Sequence, residues 1–226
     1  MARLSVIIPA YNERATIDQI VERVRAIDIV SEVIVVDDCS QDGTRDALAA
    51  LNWPNVRCLF HERNQGKGAA IRTGLTAVTG DLVIIQDADL EYDPGEYPRL
   101  VAPIESGEAD IVYGSRFLGK PRHMRLSQLI GNRLLTFATN ILYRTSLTDM
   151  ETCYKVFPAS IVPSLNLRAN RYDFEPEITA KLLKLGLRIK EIPISYEARD
   201  KEAGKKIRWT DGFPALVALL KYRFVN

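Results

Sequence analysis

An α/β fold, a mostly parallel central sheet flanked by helices, is what this sequence predicts, and three observations carry the prediction. Apolar runs of strand length and β-branched content recur at residues 4–8, 33–36 and 82–85, as expected of strands buried on both faces. The chain moves from strand to polar loop to helical spacing three times in its first third, the pattern of a parallel sheet with helical crossovers. The polar loops at 9–13, 37–43 and 87–91 each follow a strand's carboxyl end, and in such a sheet those ends share one rim, where ligands collect.

The elements follow in order. Residues 4–8 form a first strand, stopped by Pro9. Ile17, Ile20, Val21, Val24 and Ile27 give helical spacing over 16–27. The strand at 33–36 ends in Asp37-Asp38-Cys39-Ser40, and Gln41-Asp42-Gly43-Thr44 turns into a helix reaching about residue 51. A third strand covers 56–60, and Gln65-Gly66-Lys67-Gly68 leads into an alanine-rich helix over 69–78. Gly80-Asp81 returns the chain to the strand at 82–85. Beyond it come a short strand at 111–114, a long amphipathic segment at 126–143 and a polar loop at 148–152. A strand at 154–157, a helix at 175–185, a strand at 188–192 and a further short one at Ser195-Tyr196 follow. In the tail, Trp209, Phe213, Leu216, Leu220 and Phe224 fall on one helical face. No linker, repeat or low-complexity segment divides the 226 residues, which read as one domain.

Composition narrows the function. Thirty basic and 29 acidic residues leave a formal net charge of +1, so no global field recruits nucleic acid. Three widely spaced cysteines, Cys39, Cys58 and Cys153, argue against a disulfide framework or zinc site and point to a reducing, cytoplasmic setting. The chain enters a strand-like run directly after Met1-Ala2-Arg3, which leaves no signal-peptide core, and no stretch approaches the roughly 18 uninterrupted apolar residues of a spanning helix. The expectation is a protein not integral to a membrane, with peripheral contact left open.

The chemistry centres on Asp87-Ala88-Asp89-Leu90-Glu91. Residues two apart along an extended chain share a side, so Asp87, Asp89 and Glu91 present three carboxylates to one point if the path stays extended. Hard oxygen ligands suit Mg²⁺ or Mn²⁺, and Mg²⁺ commonly takes one or two carboxylates plus substrate phosphates. A bare D-x-D after a strand is also an ordinary solvated turn; the two other polar loops on the same rim argue otherwise. They offer Tyr11 for stacking and Glu13 and Asp37 as acceptors for base or ribose hydrogens. The loop after the first strand is not G-x-G-x-x-G, and Gly66-Lys67-Gly68 lacks Walker spacing, although Lys67 and Gly68 at a helix start suit an anion. His61 reads as structural and His123 as an acceptor-loop candidate.

Four segments, Val6-Ile-Ile-Pro-Ala-Tyr-Asn-Glu13, Val35-Val-Asp-Asp-Cys-Ser-Gln-Asp-Gly-Thr44, Asn64-Gln-Gly-Lys-Gly68 and Asp87-Ala-Asp89, resemble the family 2 glycosyltransferases of GT-A fold. Gly114-Ser-Arg-Phe117 and the segment from Arg199 to Lys206 are similar to the polyprenyl-phosphate sugar synthases within them. The resemblance implies nucleotide-sugar contacts at Pro9, Tyr11, Glu13, Val35, Asp37, Lys67, Asp87 and Ala88, with Arg199 and Lys206 on a basic loop closing over the donor. It implies a metal-diphosphate site at Asp87 and Asp89, with Glu91 where the synthases often carry Gln. It places Arg116 and Arg125 against phosphates, and Arg133 is expected beside them on the acceptor side. The expected catalytic set is Asp89, Arg116 and Asp149. The implied division is 1–118 for nucleotide and metal, 119–208 for the acceptor and 209–226 for an amphipathic C-terminal helix.

The expected reaction moves a hexose from GDP-mannose or UDP-glucose to a polyprenyl or dolichyl phosphate, with inversion and with Mg²⁺ or Mn²⁺. A phosphate acceptor is already ionised and needs no strong base; a hydroxyl acceptor needs one, and Asp149 is the candidate. Two departures bear on the acceptor: Leu129 stands near a position where the synthases carry Ser, and Asp149-Met-Glu-Thr-Cys-Tyr-Lys155 replaces a glycine-rich loop. Transfer to a soluble hydroxyl, a non-catalytic nucleotide-sugar-binding paralogue and a nucleotidyltransferase are the rival readings. The apolar helices at 126–143 and 209–226, the first bordered by Lys120, Arg122, Arg125 and Arg144, suit core packing, a homodimer contact or peripheral attachment at the inner face of a membrane.

Overall fold

In the computed structural model, which describes residues 2–199 and 212–225, strand and helix alternate from the start. The elements are β1 (Leu4–Ala10), α1 (Ile17–Arg25), β2 (Val30–Asp37), α2 (Thr44–Ala50), β3 (Val56–Phe60), α3 (Lys67–Leu75) and β4 (Leu82–Ile85). They continue with α4 (Tyr97–Glu105), β5 (Ile111–Ser115), α5 (Arg116–Gly119), α6 (Leu126–Tyr143) and β6 (Lys155–Pro158). The last are α7 (Val162–Leu165), α8 (Phe174–Lys184), β7 (Ile189–Pro193) and α9 (Gly212–Phe224).

The strands form one sheet in the order β3-β2-β1-β4-β6-β5-β7. Pairing is parallel for β1 with β2 and β4, for β2 with β3 and for β5 with β7; β6 runs antiparallel between β4 and β5. Ile7, Ile8, Ile34, Val35, Val83 and Ile84 are fully buried in the central strands, each such side chain contributing about 1.5–3 kcal/mol. The reversal of β6 matters for the site. Its first residue, Lys155, lies at the end where the other strands finish, so the loop that feeds it, 148–154, joins the same rim as the three loops anticipated from sequence.

Pro9 does not stop β1. The strand runs through Ala10, with Pro9 opposite Val36 and Ala10 opposite Asp37. Ala10 turns its carbonyl toward β2, where Asp38 N donates to it at 2.8 Å, and Ile7 turns its carbonyl toward β4, where Gln86 N donates at 2.9 Å. Alternation therefore aims the Pro9 nitrogen toward β4, which has already ended at Ile85. No ladder bond is lost.

The sequence pattern gave no sign of α4. Pro98 occupies its first turn, where no intrahelical donor is needed, and Tyr97, Leu100 and Val101 supply a buried face at helical spacing despite Pro103.

The helices α6 and α9 turn their apolar stripes outward. Leu126, Ile130, Leu134, Phe137 and Ile141 of α6 are exposed, while Thr136 and Thr139 are buried. In α9, Phe213, Leu216, Leu220 and Phe224 point out, and Ala215, Ala218, Leu219 and Tyr222 point in. The small alanines let α9 lie close on α8, with Ala180, Ala218 and Tyr222 in one cluster, and the Tyr143 hydroxyl at the end of α6 donates to the Leu219 carbonyl at 2.8 Å. Trp209 lies outside the described residues. No helix among the described residues is long and apolar enough to cross a membrane.

Candidate functional site

The carboxyl ends of β1, β2 and β4 open onto a cleft of about 300 Å³. Its first wall is the end of β1 and the loop beyond, with Pro9, Ala10, Tyr11 and Glu13. This loop is stitched to the one after β2: Asn12 N donates to Ser40 Oγ at 2.9 Å, and Gln41 N to Asn12 Oδ1 at 2.8 Å. Glu13 N donates to Thr44 Oγ1 at 2.9 Å, so the start of α2 fixes Glu13 as well. The floor comes from Asp87, Ala88, Asp89 and Glu91, and the remaining walls from Asp38, Asn64, Gly66, Lys67, Ala70, Arg171, Tyr172 and Arg199. Thr16 Oγ1 donates to the Ala88 carbonyl at 2.9 Å, tying the floor to the first loop.

Charge in this cleft is paired across chain-distant segments. Lys67 Nζ lies 2.6 Å from Asp87 Oδ1 and 3.6 Å from Glu175 Oε1. Burial opposes the Lys67 charge, but Asp87 and Glu175 outweigh it and hold its pKa well above the usual lysine value. Burial likewise raises the Asp87 carboxyl, yet Lys67 reverses the effect and the net shift is downward. Asp89 goes the other way: burial first, then the negative charges of Asp87 and Glu91, push it up to about 7 against the pull of Arg199. The Arg199 guanidinium reaches Asp89 Oδ2 at 2.9 Å, Glu13 Oε2 at 2.9 Å and Glu13 Oε1 at 3.1 Å. One residue thus bridges the first loop and the floor.

Asp87 and Asp89 fit a divalent cation held in the one-or-two-carboxylate mode. Both line the cleft, and the negative charge crowded around Asp89 is an excess that such an ion relieves. The third carboxylate does not join them, which corrects the expectation for Glu91. The backbone bends over 88–91, ending the alternation that would have aligned the three, and Glu91 instead accepts from Tyr196 Oη at 2.6 Å and Arg199 N at 2.7 Å. No group of three His, Cys, Asp or Glu residues is arranged to hold an ion among the described residues.

Several other expected site residues stand away from the cleft. Val35 is fully buried within β2 and belongs to the core. Asp37, at the strand's end, is also fully buried; Arg45 Nε donates to it at 2.9 Å and Ser40 N at 3.3 Å, so its neighbour Asp38 takes the place on the wall. Asp38 is an organiser, receiving Gln65 N at 2.8 Å, Gly66 N at 2.7 Å and the His61 ring at 2.7 Å, with His61 also bonded to Thr73 Oγ1 at 2.9 Å.

Arg116 and Asp149 form a buried, two-pronged ion pair. Arg116 Nε and Nη2 each donate to an Asp149 oxygen at 2.7 Å, and the Arg116 amide adds a bond at 3.0 Å. Glu191 accepts the amides of Thr148 at 2.7 Å and Asp149 at 2.9 Å, which anchors the loop below. With its oxygens committed and no exposed surface, Asp149 is a structural partner of Arg116, not a free base. Arg125 and Arg133 are exposed at α6, outside the cleft lining, with Arg133 stacked 5.6 Å from the Phe117 ring. His123 is exposed, 3.9 Å from Glu197. Lys206 lies outside the described residues.

Sequence reasoning missed Arg171 and Tyr172, which reach the cleft from a segment far along the chain from its three loops and carry no local motif. It also passed over the glycines' true role. A side chain at Gly68 would meet the Ala169 carbonyl at 2.6 Å, and at Gly66, where φ is +99°, it would strike Asn170. These positions are bare because the segment 169–171 crosses directly over the start of α3. A further residue missed is Glu151. Burial, then Glu175, raises its carboxyl to about 7, and its Oε1 is buried without a hydrogen-bond partner among the described residues. The folded-state pKa lies above the ordinary 4.5, so this group's stabilising contribution is present below about 4.5 and is lost as the pH rises through 7. Glu151→Gln is accordingly expected to raise the melting free energy by on the order of 2–3 kcal/mol at pH 8 and to leave it unchanged at pH 4; thermal melts at the two pH values check it.

The model of the family described as glycosyl transferase family 2 matches residues 5–164. The low-salt glycan biosynthesis hexosyltransferase Agl6 of Haloferax volcanii is 33% identical over 230 residues, covering 99% of this chain and 53% of that protein. This chain therefore spans about half that relative's length. The undecaprenyl-phosphate mannosyltransferase of Micrococcus luteus is 32% identical over 209 residues, covering 88% of this chain and 85% of that one. Among solved structures, glucosyl-3-phosphoglycerate synthase from Mycobacterium tuberculosis, crystallised with Mn²⁺ and UDP-glucose, superimposes with a TM-score of 0.75 at 25% identity, over 98% of this chain and 79% of that one.

Proposed function

Because the chain belongs to glycosyl transferase family 2, with the GT-A fold of its structural neighbours, we propose that it moves a hexose from a nucleotide-sugar to a polyprenyl phosphate with inversion at the anomeric carbon. The observation that carries this reading is the cleft itself, where Asp87 and Asp89 face Lys67 and Arg199 beside Tyr11 and Glu13. Tyr11, 36% exposed, offers a face for the base, and Glu13 an acceptor for the nucleoside. Asp87 and Asp89 would hold a divalent cation, which would supply charge neutralisation for the departing diphosphate. Lys67 and Arg199 add positive charge at the same place, and both are already held by carboxylates on separate segments, so little reorganisation is required of them.

Two further observations favour a lipid phosphate over a soluble hydroxyl. Asp149, the base a hydroxyl acceptor would have needed, is consumed by Arg116. The outward apolar faces of α6 and α9, with Arg125, Arg133, Lys221 and Arg223 exposed among them, suit an anionic membrane surface that carries such an acceptor. The test is incubation with GDP-mannose or UDP-glucose, Mn²⁺ or Mg²⁺ and a short polyprenyl phosphate, scored for lipid-linked hexose. Metal-dependent formation of that product is the expected result. Release of nucleoside diphosphate only with a soluble hydroxyl acceptor would overturn the acceptor assignment, and no release with any donor would overturn the catalytic one.

A further inference from the structure

The cations of the cleft are not equivalent. Lys67 is held by Asp87 at 2.6 Å, and Arg199 by Glu13 and Asp89 at 2.9 Å. Arg171 also lines the cleft, with its side chain exposed, and its guanidinium makes no ion pair among the described residues. Its backbone is fixed on both sides. Upstream, the Glu177 carboxylate accepts the amides of Arg168 at 2.9 Å and Ala169 at 2.6 Å, and Lys181 in turn holds Glu177 at 2.7 Å. Ala69 N donates to the Asn170 carbonyl at 3.1 Å, and Arg72 Nη2 to Asn170 Oδ1 at 2.5 Å. Downstream, the Arg171 amide donates to Asp173 Oδ1 at 3.1 Å just before α8 begins. The aliphatic stem of Arg171 lies over Gly66, where a side chain would meet Arg171 Cγ at 2.9 Å.

A guanidinium on an anchored backbone, in an acid-lined cleft, without a carboxylate of its own, is equipped to receive an anion from outside. We propose that Arg171 is a substrate-recognition residue that binds a phosphate oxygen, and that the strap 168–173 over the glycines of α3 exists to place it. This deepens the transfer reaction proposed above and rests on it. A planar fork suits phosphate, and a charged hydrogen bond of this kind changes affinity by about 10- to 100-fold. The phosphate has two sources, the leaving diphosphate of the donor and the phosphate of the acceptor, and the same chemistry serves either.

The experiment compares wild type with Arg171→Ala and Arg171→Lys, with thermal melts to establish that the exposed substitutions leave the fold intact. Calorimetry with GDP and UDP in the presence of Mn²⁺ reads the diphosphate arm, and the KM for a short polyprenyl phosphate reads the acceptor arm. Arg171→Ala is expected to weaken one of the two by tenfold or more, with Arg171→Lys recovering only part of it. Weaker nucleoside diphosphate binding assigns the donor; a raised acceptor KM with nucleoside diphosphate affinity unchanged assigns the acceptor. If Arg171→Ala keeps both within twofold of a wild type that binds and transfers normally, the Arg171 proposal is wrong and the reaction stands. If wild type itself binds no nucleoside diphosphate and transfers no hexose, the reaction reading falls, and this proposal with it.

Discussion

Asp89→Asn is expected to lower hexose transfer on the order of 10²–10³-fold, the range found when one charge-stabilising group is removed from an active site. The substitution keeps the side chain's size and its bond from the Glu91 amide, now 3.1 Å long, while deleting the charge that a divalent ion and Arg199 both need. Metal-dependent binding of nucleoside diphosphate falls with it, measurable by titrating Mn²⁺ against a fixed GDP or UDP concentration. Stability moves independently of function. The Asp89 carboxyl sits at about 7 in the folded protein, raised by burial and by Asp87 and Glu91, so the metal-free protein loses stability from this group as the pH rises from the carboxylate range through 7. At pH 8 the metal-free Asn variant should therefore melt no lower than wild type. A variant that melts lower at pH 8 and transfers normally would show that Asp89 is a structural partner of Arg199.

Arg116→Ala is expected to have the largest effect on stability. It strips the cation from a fully buried Asp149, leaving an uncompensated charge at a cost of about 3–5 kcal/mol and a melting temperature lower by about 10 °C. Replacing both partners together, as Arg116→Met with Asp149→Leu, should recover much of the loss, because neither charge of the pair is then left unmatched in the interior. Thermal melts of the single and double variants read this directly. If Arg116→Ala instead melts normally while transfer collapses, the guanidinium acts on phosphate and the ion pair is incidental.

These two residues also show where the sequence stops informing. Asp89 follows a buried apolar strand and belongs to a loop whose position on the rim is set by local order, so its place in the cleft was legible. Arg116 and Asp149 were legible as charged residues near the rim and illegible as partners: 33 positions separate them, and their pairing depends on β6 returning antiparallel beside β5. The burial of Asp37 was illegible for a related reason. Its polar loop was read correctly, but which of Asp37 and Asp38 faces the cleft is decided by strand alternation and by Arg45 reaching across from α2.

The faces of α6 and α9 carry the same lesson in apolar residues. Helical spacing identified a stripe in each; it could not say that alanines and threonines would take the interior and leave the larger residues outside. Periodicity records a difference between faces, while the neighbour determines which face is buried.

Local order in the chain therefore accounts for the parallel strands, the three loops on one rim and the family to which the protein belongs, because each rests on residues close in sequence. The tertiary structure accounts for the rest of the cleft. Asp87 meets Lys67, Asp89 meets Arg199, and Arg171 arrives on a strap across two glycines, all through contacts between segments far apart in the chain. Such pairings are settled by which buried charges can be matched once the sheet has closed, and no local pattern encodes that outcome.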